Sequence, residues 1–572
     1  MKRFWIGFLA GLLLPVVLLT IVLAMFQLGL YWRARVPDQA TLVVELSGEF
    51  PELPGPVLPF PLDDAARRAT LRNFWELFDR AAKDPRVRAV LLEIGSLDVG
   101  WGRLQELAWG IDKLRRANKS VVAYLRVPGA RQYYLACGAG QVYVSPESWL
   151  DLKGLRAELV YLADGLRKLG VQVELERAGR YKDAGDMFTR NTISPETRET
   201  MDAILDELYG DLVRRIAKGR GMPEDKVRQL LDQGPFLAQQ AARERLVDGL
   251  LYPDQVEDRL RQQLGQERLR KVFSGDYLRA TAKRPRRPHR VAFLVAQGTI
   301  LPGEEDDWTG HRLLFSDTFR RWVDEIRDDQ KIEAVLLRID SPGGDAVASD
   351  EILRALKQLR ARKPLVISMS DTAASGGYYI AMTGDPIVAY PGTVTGSIGV
   401  LYGKLTLRGL YEKLGMRKVI LKRGQFADID SDYEPLSEKA REKLREGVNR
   451  SYQAFLEKVA EGRKTKVEQV RQYAEGRVWL GSQAARHRLV DVVGGFDAAL
   501  AKVRELARIP PDEPIVLIPY PPRRPLLDIL ENILASQWSW LRWGLKGESL
   551  GSLLGALRPG PWALMPWSIE FH

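Results

Sequence analysis

Short apolar runs alternate with longer amphipathic stretches along most of the chain. In the first half, the run 89–94 is almost continuously apolar, a helical pattern follows at 102–116, and the next β-branched run is 121–124. Nearly continuous apolar runs are typical of strands that are covered on both faces. The order predicts β-α-β units with parallel strands, and hence an α/β fold.

The same order of elements recurs 245 residues later, since 334 − 89 = 245. The apolar run 334–339, the helical pattern 347–362 and the run 365–368 repeat the three elements of the first half. A fixed offset over several elements indicates a duplicated structural unit. We therefore predict two tandem domains, over residues 36–282 and 291–520.

The N-terminal segment is predicted to be a membrane anchor. Residues 4–31 carry no formal charge, follow Lys2 and Arg3, and are numerous enough to span a bilayer. A cleavage pattern of small residues is not evident at the end of this run, so we interpret residues 1–35 as a retained signal anchor with one transmembrane helix. The weak charge asymmetry around it favours a body on the extracytoplasmic side, as in a single-pass protein of a bacterial inner membrane.

Two further segments differ from the domains in composition. Residues 283–290 are basic and interrupted by prolines, which favours a linker over a nucleic-acid or lipid patch. The tail 521–572 holds five of the chain's 14 tryptophans. Such a tail suits a membrane interface or an oligomer contact, but packing over its own domain is an equally good hypothesis, and both stay open.

Composition excludes several classes of function. A content of 45% hydrophobic and 28% charged residues is typical of globular protein, and the net charge of +11 is spread along the chain, so no nucleic-acid partner is expected. The lone Cys137 excludes intrachain disulfides and multi-cysteine metal sites, and we interpret it as a small buried side chain. The four histidines lack metal-ligand spacing, so neither a metal nor a cofactor is predicted.

A candidate nucleophile occurs in the second copy only. Ser375 lies between Ala373-Ala374 and Gly376-Gly377, after a strand and before a helical pattern, and the first copy has Ala130 at the equivalent position. Small neighbours allow a substrate backbone to approach, and a helix N-terminus favours developing negative charge. A capping role for the serine is the alternative. Because Ala130 shows that the position tolerates the loss of a hydroxyl, we favour the nucleophile.

A candidate base occurs in the first copy only. Lys182 follows a predicted strand, and the second copy has Ala427 at the equivalent position. A serine needs a base, and a buried lysine serves once it is neutral. The turn Ser341-Pro342-Gly343-Gly344 of the second copy also lacks its glycines in the first copy, and its main-chain N–H groups are suited to an oxyanion hole. These opposite losses predict one site assembled from both copies.

These motifs together resemble the long, duplicated form of the signal peptide peptidase A (protease IV) family of bacterial Ser/Lys peptidases. The resemblance implies two ClpP/crotonase-like domains of repeated β-β-α units, a homo-oligomer of four chains, and cleavage of signal-peptide remnants on the outer face of the inner membrane. It also implies Ser375 as nucleophile, Lys182 as general base, the N–H groups of Gly344 and Gly376 as oxyanion donors, and Ser397 as the residue that orients the lysine.

Two other hypotheses for function remain open at this point. A crotonase-type CoA-thioester enzyme uses the same fold and a similar oxyanion hole, although it needs neither an anchor nor a serine beside the second glycine pair. A non-hydrolytic membrane scaffold of this fold needs no reactive serine at all.

Overall fold

The computed structural model describes five stretches of the chain, which are residues 35–54, 69–282, 285–304, 313–522 and 561–564. The predicted transmembrane segment 4–31 lies outside the described residues. Within the five stretches, no helix combines the length and the apolar character needed to cross a membrane.

The apolar runs of the first copy form a six-stranded parallel sheet. Its order is β8-β4-β3-β2-β1-β9. Central β2 pairs on both sides, and residues 89–92 of the predicted apolar run 89–94 are buried because they are covered on both faces. The strands of this copy are β1 Ala40–Gly48, β2 Val87–Leu97, β3 Ser120–Leu125, β4 Gln141–Val144, β5 Trp149–Leu150, β6 Gln172–Ala178, β7 Phe236–Leu237, β8 Gly249–Leu250 and β9 Lys271–Phe273.

The second copy repeats this sheet with additional strands. Its order is β19-β17-β15-β13-β10-β21, with β16 and β20 attached beside β15. All its pairs are parallel except β17 with β19. Its strands, with those of the third sheet, are β10 His289–Gln297, β11 Thr299–Leu301, β12 Leu313–Phe315, β13 Ala334–Ser341, β14 Gly343–Asp345, β15 Leu365–Ala374, β16 Ile387–Ala389, β17 Val394–Gly396, β18 Val400–Thr406, β19 Val478–Leu480, β20 Val492–Val493, β21 Ile515–Tyr520 and, from the tail, β22 Pro561–Leu564.

The predicted amphipathic stretches are helical. The helices of the first copy are Leu71–Lys83, Trp101–Arg116, Ala130–Ala136, Ala163–Leu169, Asp186–Thr189, Pro195–Arg220, Glu224–Gln233, Ala238–Arg243, Pro253–Gln263 and Ser274–Ala280. Those of the second copy are Ser316–Asp328, Ala346–Arg360, Gly376–Tyr379, Arg408–Lys413, Glu438–Gly462, Val467–Arg471, Gly481–Arg486 and Phe496–Ala507. The predicted α/β fold with parallel sheets is therefore confirmed.

Two local predictions differ from the structure. The strand expected over 365–368 continues to Ala374, because its later residues pair with β13 and β17. Strand β10 begins at His289, within the predicted linker 283–290, because parallel pairing with β21 extends the strand to this residue.

A third sheet joins the two copies. Its order is β12-β11-β14-β22-β18-β6, so β6 of the first copy lies in the same sheet as strands of the second. Strands β6 and β18 pair antiparallel from Ala178–Val400 to Gln172–Thr406. This pairing brings the end of β6 to the start of β18.

The two copies also share their interior. One hydrophobic cluster contains Leu46 and Phe78 of the first copy together with Phe293 of the second. Within it, the Glu52 carboxylate lies 3.0 Å from the Arg338 guanidinium, and both side chains are fully buried. A buried charge is tolerated when it is paired and hydrogen-bonded, so this ion pair depends on the copies staying together.

Candidate active site

Lys182 lies in a turn that follows β6 and contacts the second copy. The N–H of the preceding Tyr181 donates to Glu475 O at 2.8 Å. The adjacent Gly476 has φ +81°, and a Cβ on it would lie 2.5 Å from Lys182 N. Glycine is therefore required where the two backbones approach. The lysine is positioned from both sides, by its own strand and by a loop of the other copy.

Ser375 occupies a sharp turn between a strand and a helix. It directly follows β15 and has φ +54° and ψ −116°, a conformation that is unfavourable for a residue with a side chain. Its N–H donates to Gly396 O at 2.8 Å, which holds the turn against β17. The serine side chain makes no capping hydrogen bond to the helix Gly376–Tyr379. Helix capping therefore does not account for this serine.

The side chains of Lys182, Ser375 and Ser397 meet in the interior. Lys182 Nζ lies 2.8 Å from Ser375 Oγ, 3.0 Å from Ser397 Oγ and 3.1 Å from Ser397 O. All three residues are buried, with exposed fractions of 1% for the lysine and 0% for the serines. Lys182 and Ser375 belong to different copies of the repeat, and the fold of a single chain brings their side chains within hydrogen-bond distance.

The amine of Lys182 has unusual acid–base properties. Burial lowers the pKa of Lys182 from 10.5 to about 7, because the charged form loses its hydration. The neighbouring Asp183 opposes this effect only in part. Burial also raises the pKa of Asp183 to about 6, although the Thr197 hydroxyl donates to its carboxylate. The amine is therefore substantially neutral at physiological pH.

The glycine turn lies next to the serine. Gly343 has φ +104°, and a Cβ on Gly344 would lie 2.0 Å from Ile300 O, so both positions need glycine. A Cβ on Gly376 would lie 3.1 Å from Gly344 N, which shows that Gly344 and Gly376 are close neighbours. Two main-chain amides beside a hydroxyl are the arrangement that an oxyanion requires.

A partly buried charged cluster, which no sequence pattern indicated, lies behind these turns. Arg103 of the first copy forms ion pairs with Asp340 and Asp371 of the second. The Asp371 carboxylate also accepts a hydrogen bond from the main-chain N–H of Arg103 at 2.8 Å. The Asp340 carboxylate accepts one from the main-chain N–H of Thr372 at 3.1 Å. Asp340 precedes the glycine turn, and Thr372 precedes Ser375. The cluster therefore ties together the two segments that carry the site.

Comparison with known proteins assigns the family. The sequence pattern of peptidase family S49 matches residues 113–267 and 357–510, one stretch in each copy. The chain belongs to peptidase family S49. The two matched stretches agree with two tandem domains, and the serine peptidases of this family show that the chain is a hydrolase of this class. This assignment disfavours both the CoA-thioester enzyme and the non-hydrolytic scaffold.

Several S49 relatives extend over much of the chain. The "Serine protease SPPA, chloroplastic" of Arabidopsis thaliana is 33% identical over 82% of this chain and 70% of its own length. "Protease 4" of Haemophilus influenzae is 30% identical over 75% of this chain and 71% of its own length. A "Putative signal peptide peptidase SppA" of Enterococcus faecium is 33% identical over 38% of this chain and 63% of its own length.

The lowered pKa of Lys182 predicts a pH-dependent cost to stability. Below about pH 7 the native protein must hold a buried charge, and between pH 7 and 10.5 the unfolded chain keeps a proton that the native lysine has lost. Stability therefore rises with pH over this window, by up to about 5 kcal/mol. Lys182→Met removes this dependence. We expect its gain in melting temperature over the wild type to be largest at pH 6 and to shrink steadily toward pH 10.

The control for this measurement is a second buried lysine. The Lys363 amine donates to two main-chain carbonyls, Asp329 O at 2.7 Å and Ile332 O at 2.6 Å. Lys363→Met should instead lower the melting temperature at pH 7, because two buried carbonyls lose their donor. If the difference in melting temperature between Lys182→Met and the wild type does not vary with pH, the pKa of Lys182 is not lowered in the native state.

Proposed function

We propose that this S49 peptidase is a membrane-anchored endopeptidase that degrades cleaved signal peptides and other apolar peptides. In this proposal Ser375 is the nucleophile and Lys182 the general base. The observation that carries it is the 2.8 Å separation of Lys182 Nζ and Ser375 Oγ, with both side chains buried. A neutral amine at this distance accepts the serine proton without a histidine.

The proposed reaction is acyl transfer. The Ser375 hydroxyl gives its proton to Lys182 as its oxygen attacks a peptide carbonyl, and the N–H groups of Gly344 and Gly376 stabilise the oxyanion. The protonated lysine then gives this proton to the leaving amine. Water hydrolyses the acyl-enzyme, with the same lysine as base. Ser397, 3.0 Å from the amine, orients it toward Ser375 throughout.

The proposed substrate and location rest on sequence and relatives. Signal peptides enter the proposal through the name of the E. faecium relative, and the apolar run 4–31 supports an anchor that keeps the enzyme near membrane-released peptides. We place the body on the extracytoplasmic side. The reaction as written needs neither a metal nor a cofactor.

We also propose that the chains associate head to tail. At the repeat offset of 245 residues, β6 corresponds to 417–423 and β18 to 155–161, yet neither segment forms a strand in the structure. Val419 and Leu421 are 85% and 88% exposed, which is unusual for large apolar side chains. The β6–β18 pairing within one chain supports an equivalent pairing of 417–423 with 155–161 of the next chain. Heterologous contacts form a ring when the rotation between neighbouring chains closes, and a closed ring is the assembly that we propose.

Removal of either proposed catalytic group should abolish hydrolysis. Ser375→Ala and Lys182→Met in the full chain should each lower kcat/KM for a chromogenic apolar peptide by about 10⁴-fold, because the two groups act as a unit. Each variant is inactive because the alanine side chain cannot attack the peptide carbonyl and the methionine side chain cannot accept the serine proton. Lys363→Met, which removes a buried lysine outside the site, should retain activity. Wild-type turnover by either active-site variant refutes the dyad.

Charge on the exposed segment should block association. Val419→Glu/Leu421→Glu should convert the detergent-solubilised oligomer into smaller species, as measured by light scattering during size-exclusion chromatography, because a charged strand edge resists pairing. Val347→Glu, at a side chain 60% exposed in the helix Ala346–Arg360, is the control and should leave the mass unchanged. A wild-type protein that is monomeric, or a double variant of unchanged mass, contradicts the proposal.

A further inference from the structure

The C-terminal tail contributes a strand at the candidate site. Strand β22, Pro561–Leu564, lies between β14 and β18 and is antiparallel to both. Opposite β14, Ala563 pairs with Gly344 and Leu564 with Gly343. Opposite β18, Trp562 pairs with Leu401. Strand β22 therefore runs alongside Gly343 and Gly344, the glycines next to the Ser375 turn.

The two neighbours of β22 both lead to the proposed catalytic groups. Strand β14 contains Gly344, one of the two proposed oxyanion donors. Strand β18 begins three residues after Ser397 and pairs along its length with β6, which leads to Lys182. Without β22, β14 and β18 would present two unpaired edges, separated by the width of one strand. Such a slot fits an extended peptide, which is bound by main-chain hydrogen bonds on both sides.

We propose that this slot is the substrate cleft and that the tail strand Pro561–Leu564 is its displaceable intrachain occupant. The inference rests on the proposed function, since it equates the slot with the place where peptides are cleaved. The strand and its next two residues read Pro-Trp-Ala-Leu-Met-Pro, an uncharged apolar peptide of the proposed substrate class. The tail thus competes with substrate.

Attachment to the chain explains how so short a strand stays bound. Only four residues pair, and in a separate peptide such a contact would be weak. A tethered ligand has an effective concentration of about 1 mM, and each doubling of tether length costs only about 0.6 kcal/mol. A tail that occupies the slot in about 90% of the molecules leaves about 10% competent to bind substrate, which raises the apparent KM about ten-fold.

The core sheets do not require β22. The six-stranded sheet of the first copy and the sheet β19-β17-β15-β13-β10-β21 of the second are complete without it. Its partner β14 is itself only three residues long. Loss of the tail strand should therefore open the slot and leave both copies folded.

The test uses proline in the full-length chain. Successive N–H groups of a strand point to opposite sides, so Trp562→Pro/Ala563→Pro removes a donor toward each neighbour. The matched control is Trp567→Pro/Ser568→Pro, which makes similar changes beyond the paired strand. We expect the strand variant to lower KM for an apolar peptide about ten-fold with kcat unchanged. The control variant should match the wild type.

A second measurement separates this inference from the proposed function. In the Ser375→Ala background, amide hydrogen exchange of residues 343–345 should be slow with the native tail and fast with the double proline change. A synthetic peptide covering residues 560–566 should slow it again. The inference is overturned if the double proline change leaves the exchange of residues 343–345 unchanged. It is also overturned if the exchange becomes fast but KM does not change, because β22 would then be a structural strand that does not compete with substrate. If every variant with Ser375 intact fails to hydrolyse peptides, the proposed function is wrong, and exchange with added peptide still decides whether the slot binds peptide.

Discussion

The contact between the Lys182 amine and the Ser375 hydroxyl joins the two copies through two buried side chains. Burial of both side chains disfavours the ammonium form, so the amine that would otherwise be a surface cation is held near neutrality at physiological pH. That neutral amine is what allows a serine to be activated without histidine. The same burial weakens the fold, because a proton on the lysine must be accommodated without hydration.

The surrounding structure maintains this burial from several directions. Strand β6 carries the lysine into a sheet of the second copy, and the loop at Gly476 contacts the lysine backbone. Behind the site, Arg103 links the segments that precede Gly344 and Ser375, while Glu52 and Arg338 pair in the shared interior. Two copies that had separate sites would need none of these contacts. A single shared site makes each copy depend on the other.

Much of this arrangement could be predicted from sequence because the repeat supplied an internal comparison. The opposite losses at Ala130 and Ala427 pointed to Ser375 and Lys182, which lie in contact, and the succession of strands and helices along the chain followed from local apolar runs. Arg103 could not be found in this way, because its partners Asp340 and Asp371 are remote in sequence and no local pattern marks such a contact. The pairing of β22 could not be predicted from sequence either. Four residues flanked by prolines are too few to show the alternation of apolar and polar residues that indicates a strand, and this strand forms only by pairing with β14 and β18.

The ionisation of Lys182 in the native protein is the most direct test of this account. It can be followed as the pH dependence of the rate at which a fluorophosphonate labels Ser375. We predict a rate that rises with pH to a plateau with a midpoint near 7, the pKa of Lys182, and the same shape at a lower midpoint in Asp183→Asn, because the carboxylate that favours the ammonium is gone. A rate that keeps rising toward pH 10, or a midpoint that disappears in Asp183→Asn, would contradict a buried neutral lysine as the base.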